Sequence, residues 1–141
     1  VRRAVAAALL YFAGAFLLGA LLGAVRILAL APRLGETTAV LLELPLMLGA
    51  CWALAGGIAR RCRLGAAPGP RLLMGSLALL LLLAAEVALG ALVLGKPLAR
   101  ILADWQATPG LIGLAGQVLF ALLPVLHRRF SSLFPIEGRR R

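Results

Sequence analysis

Four polar side chains interrupt stretches that are otherwise apolar: Arg26, Glu43, Glu86 and Gln117. A guanidinium, two carboxyls and a carboxamide can pair ions, relay a proton or hold a small cation. A charged group at the centre of a bilayer costs about 2.5–3.5 kcal/mol on insertion scales, so such groups must face protein or water. One arrangement is structural: a buried Arg26–Glu43 pair, with Gln117 and a neutral Glu86 completing hydrogen bonds. The other is functional. Arg26 offsets only one of the two acids, and the remaining charge suits a proton, an ion or a small cationic ligand.

The chemistry of an enzyme needs a nucleophile, a base and an orienting group within reach. The lone histidine, His127, falls at the end of the last apolar run, away from the polar layer. Ser76 is expected to be buried near the inner end of its run, Ser131 and Ser132 lie in the tail, and no acid is spaced to serve them. Cys51 and Cys62 are eleven positions apart, roughly 16 Å along one helix, which is beyond disulfide reach. Neither has the spacing of a zinc or haem ligand. The sequence therefore points to no catalytic residue, cofactor or metal.

The elements that must position the four polar groups follow from composition. Of 141 residues, 62% are hydrophobic and only 14% charged, with mean hydropathy +1.01. That leaves too little polar surface for a water-soluble domain, where about a quarter of residues are charged. Four apolar runs, at about 4–31, 38–59, 72–94 and 109–126, are long enough to cross a bilayer, for which about 18 residues suffice. The fold expected is all-α: an antiparallel bundle of four transmembrane helices in one domain. The first run is too long for a cleaved signal peptide and reads as a signal-anchor.

Net charge is +10, but the basic residues cluster at the ends of runs, which is a mark of topology, and no nucleic-acid-binding face is visible. Arg2, Arg3, Arg60, Arg61, Arg63, Arg71, Arg128, Arg129 and Arg139–Arg141 fall on one side; Arg26, Arg33, Lys96 and Arg100 fall on the other. The basic-rich side is cytoplasmic, so both termini are expected inside. Outside, residues 97–105 place Leu98, Ile101, Leu102 and Trp105 on one stripe. That stripe suits either a helix lying in the interface or an amphipathic turn packed over the bundle. Residues 127–141 form a basic tail, in which Ile136-Glu137-Gly138-Arg139 matches a protease site often added by engineering.

Counting back at 1.5 Å per residue puts all four polar groups about 9–13 Å below the outer boundary. Arg26 continues the Ala15-Gly19-Gly23 stripe, Glu86 shares a face with Gly75, Gly90 and Val93, and Gln117 one with Gly110, Gly113, Ala121 and Pro124. Small residues let membrane helices approach closely, so these faces point inward. Gly19, Gly23, Gly113 and Gly116 are the packing positions expected.

The stretch Arg26-Ile-Leu-Ala-Leu-Ala-Pro-Arg-Leu-Gly-Glu36, with Leu42-Glu43-Leu-Pro-Leu-Met-Leu48 after it, resembles a group of small, uncharacterised proteobacterial inner-membrane proteins with four spans. The resemblance is firmest over residues 19–52. It implies a multi-pass protein of the bacterial inner membrane and brings no activity or site residue with it. Small multidrug transporters have a similar length but carry their essential acid in the first helix, where this chain has Arg26. The function expected is an accessory or scaffold subunit that packs in the lipid bilayer with itself or with a larger membrane complex. The alternative is a small proton- or cation-coupled transporter or channel using Glu43 and Glu86.

Overall fold

The computed structural model describes residues 1–65 and 67–133, and every element among them is a helix. Four helices are long and apolar enough to cross a membrane: α1 (Arg2–Leu34), α2 (Glu36–Arg61), α3 (Pro68–Val93) and α5 (Thr108–Leu133). A short helix, α4 (Leu98–Gln106), connects α3 to α5. The helices outrun the hydropathy runs because charged residues at their ends keep helical geometry. The connection expected at 33–37 shrinks to Gly35, whose φ of +81° turns the chain in a conformation that side chains disfavour. His127–Arg129, read as tail, continue α5.

Among the four long helices, each packs against two others. α1 lies on α2 and α3, and α5 lies on α2 and α3, which closes a ring in which α1 and α5 face each other across the middle. Successive spans reverse direction, so the α1–α2 and α3–α5 seams are antiparallel. The α1–α3 and α2–α5 seams join helices two spans apart and are parallel. Successive helices thus alternate in direction as expected, and the ring order adds two parallel seams.

The outer surface is the apolar one. Leu17, Leu28, Leu46, Leu80 and Val118 point outward, with exposures from 55% to 79%. Among the described residues no polar or charged residue is fully buried, while Arg26 and Glu43 turn inward with side chains 23% and 18% exposed. Apolar outside and polar inside suits lipid as the solvent.

The core fills the half of the bundle nearest the arginine-rich ends. Tyr11–Ala15, Cys51–Ala55–Ala59 and Met74–Ala78–Leu82 recur four apart and meet Phe120 and Leu123. Alanine lets the backbones close up here. Pro124 has no N–H, so the Phe120 carbonyl one turn earlier loses its helical donor. The Tyr11 hydroxyl donates to that carbonyl at 3.0 Å, and the two rings stack at 4.4 Å. Tyr11 thereby seals the middle of the bundle.

Glycines mark the closest approaches, though not all of those expected. A methyl group on Gly75 would strike the Ala121 carbonyl, one on Gly116 would strike Leu44, and Met47 lies 3.5 Å from where one on Gly19 would sit. Gly23 and Gly113 meet nothing within 4 Å, so neither marks a close approach within the bundle. Two further expectations fail for the same reason, that the inward face is narrower than a hydropathy stripe. Ser76 is exposed, and Val93 on the Glu86 stripe is 70% exposed.

Candidate functional site

Above the alanine-lined core the ring is hollow. A cavity of about 510 Å³ runs from Glu36, Asp104 and Trp105 at the rim down to Cys51 and Phe120 at its floor. Arg26, Glu43, Glu86 and Gln117 all line it.

The four polar groups form two bridges, one at each antiparallel seam. Between α1 and α2, Arg26 Nε lies 2.8 Å from Glu43 Oε2. The N–H does not aim at that oxygen, so this is an ion contact without a well-directed hydrogen bond. Glu36 stands 4.0 Å from the same guanidinium, with its side chain 67% exposed. Between α3 and α5, Gln117 Nε2 donates to Glu86 Oε1 at 2.5 Å. The amide oxygen of Gln117, Oε1, is buried without a partner among the described residues. Arg26 is thus committed to the α2 side, and Glu86 is left to a neutral amide.

Local backbone geometry places the layer. Arg26 opens a π-helical turn, Arg26–Leu30, and a second one, Leu89–Val93, begins three residues after Glu86. Such turns carry one extra residue, rotate the side chains around them and are frequent at functional sites. Pro32 follows the first, and the second ends where Leu94 and Lys96 N–H donate to Leu89 and Gly90 carbonyls at 3.1 and 3.0 Å.

The rim is hard to see in the sequence. Glu36 and Asp104 fall in the connections between the apolar runs, yet both line the cavity. The spacing of Lys96, Arg100 and Asp104, four apart, was the available signal. Asp104 accepts a hydrogen bond from Lys96 Nζ at 2.7 Å and pairs with Arg100 Nε at 3.2 Å. α4 itself packs on α5 and on the end of α3. Ile101 is buried with its end against Gly90, and a methyl group on Gly110 would strike the Asp104 carbonyl. Leu98 and Leu102 remain exposed. Of the two arrangements expected for this segment, it therefore packs over the bundle, through Ile101 and Trp105, and leaves Leu98 and Leu102 outward.

The Lys96 hydrogen bond, with desolvation opposing it and Arg100 adding to it, holds the Asp104 carboxyl below the usual aspartate range. A depressed carboxyl stabilises the fold above its ordinary value and loses that contribution as pH falls through its lowered one. Trp105 emission should therefore stay constant down to about the ordinary aspartate value of 3.8 and change below it. Asp104→Asn should abolish the change; an unaltered transition in that variant would show that another group governs it.

His127 lies far from the layer. Its ring lies tilted against Trp52, with centroids 5.0 Å apart, and closes against Gly56. Both cysteines are free thiols, Cys51 at the cavity floor and Cys62 at the end of α2. No group of three or more His, Cys, Asp or Glu capable of holding a metal occurs among the described residues. Compared with known protein families, curated proteins and solved structures, the chain matches none.

Proposed function

We propose that the chain is a small multi-pass protein of the bacterial inner membrane, with both termini cytoplasmic, that binds and moves a small cation or proton through the cavity. The carrying observation is the hollow half of the bundle. Three carboxyls, Glu36, Glu43 and Glu86, share it with one guanidinium, Arg26, while Asp104 is engaged by its own two cations. A purely structural polar layer would need no such space. The floor is closed by the Tyr11–Phe120 pair, so this arrangement suits a state open only on the side of Glu36 and Asp104.

Glu86 is the group best placed to exchange its partner, because a neutral amide holds it and not a cation. In vesicles with an entrapped pH-sensitive dye, a gradient of a small ammonium ion should drive protein-dependent proton flux. Glu86→Gln keeps a side chain able to bond Gln117 and should abolish that flux while the protein still folds. Flux that survives the substitution would refute the role of Glu86.

The accessory-subunit reading has an observation of its own. Gly49, Ala53 and Gly57 lie four apart on the outward face of α2, and nothing approaches within 4 Å of either glycine. Close helix packing by a second copy or a larger complex would use such a face. No flux in the unmutated protein, with assembly lost on Gly49→Leu, would favour that reading.

A further inference from the structure

Among the described residues, the opposite end of the bundle gathers arginines and no acid. Arg71, at the start of α3, reaches across to α5, where its Nη1 donates to the Pro124 carbonyl at 3.1 Å. Its Nε is buried and has no acceptor among the described residues. Arg128 is close enough for its charge to act on Arg71, and Arg60 and Arg71 act likewise on His127. Four of the chain's five acids, Glu36, Glu43, Glu86 and Asp104, stand in the other half of the bundle, and the fifth, Glu137, lies outside the described residues. The first turn of α3 carries no acid either, so its N-terminal dipole adds to the same sign.

Topology alone would put arginines at this end, where they could extend into water. Arg61 and Arg63 do so: both are exposed. Arg71 and Arg128 are half-buried between α3 and α5, which brings like charges together at a cost that a bound anion would remove. A guanidinium presents planar, forked N–H donors that match the two free oxygens of a phosphate ester. Trp52 lies 5.6 Å from Phe130 and 5.0 Å from His127, forming an aromatic patch of the kind that sits at headgroup level. We infer that Arg71 and Arg128, supported by Arg60, form a site for the phosphate of an anionic glycerophospholipid at the inner end of the α3–α5 seam. Basic pockets between spans recognise headgroups in this way.

Trp52 reports on the site directly, because Trp105→Phe leaves it as the single tryptophan. The full chain carrying that substitution, in zwitterionic micelles, is titrated with phosphatidylglycerol, phosphatidylcholine or inorganic phosphate. Phosphatidylglycerol should give a saturable change in Trp52 emission, and phosphatidylcholine none. Arg71→Gln and Arg128→Gln should each weaken the response at least ten-fold; the second keeps the test decisive where the first disturbs folding. Arg61→Gln removes the same charge from an exposed position and should leave the response intact. Equal responses to both lipids, or a loss in Arg61→Gln as large as in Arg71→Gln, would reduce the cluster to diffuse attraction and overturn the site. Saturation by inorganic phosphate at the same concentration would overturn its assignment to a lipid.

Discussion

Arg26→Leu alone is expected to destabilise the bundle by about 3 kcal/mol, the lower end of the range for breaking a buried ion pair. Glu43 would then stand in the cavity wall with no partner other than water, its side chain only 18% exposed. Glu43→Leu alone should be similarly harmful, because it leaves the guanidinium unmatched beside the more exposed Glu36. The double variant Arg26→Leu/Glu43→Leu removes both desolvated charges and should be more stable than either single one. Denaturant titration in mild detergent, read as a double-mutant cycle, gives the coupling directly. Additive effects would mean that the 2.8 Å contact carries no energy of its own.

Gly75→Ala should match or exceed that loss. The added methyl group points at the Ala121 carbonyl, and backbone cannot step aside as a flexible side chain can. Overpacking of this kind costs about 1–3 kcal/mol and occasionally more, and the α3–α5 seam must open to relieve it. The same seam holds the Gln117–Glu86 hydrogen bond, so the effect should spread to the polar layer. Gly113→Ala is the matched control on α5, with open space where its methyl group would lie. Thermal unfolding should separate the two clearly. Equal midpoints for Gly75→Ala and the unmutated protein would contradict the seam as described.

These contrasts show how much of the molecule is legible in its residues. Four long apolar runs are visible in the sequence because lipid-facing helices need no alternation of polar and apolar residues, and the runs emerge as α1, α2, α3 and α5. The pairing of Arg26 with Glu43 follows from a short connection and opposite charge. Which glycines pack does not follow from composition. Gly75 and Gly113 look alike on a helical wheel, yet only Gly75 meets a neighbouring backbone, because contact depends on where two helices cross. The alanine repeats Tyr11–Ala15 and Cys51–Ala55–Ala59 set the closed half of the core. They are inconspicuous in a chain this rich in alanine and leucine. The ring order was hidden as well, since hydropathy orients each span but does not choose its neighbours. A cavity is the least legible feature, because it arises from the space that several helices fail to fill.

That cavity is the basis of the functional reading, and its accessibility can be measured with a single probe. Gly113 lines it and has room for a side chain, so Gly113→Cys, in a chain with Cys51 and Cys62 replaced by serine, places a thiol on the cavity wall. Membrane-impermeant thiol reagents of opposite charge are then applied in turn to each side of oriented vesicles. Modification is expected only from the side of Glu36 and Asp104, faster with the cationic reagent than with the anionic one. This charge preference should shrink in Glu43→Gln and Glu86→Gln. A thiol that reacts from the arginine-rich side, or that shows no preference for the cationic reagent, would contradict a cation-binding cavity open at the end that carries the acids.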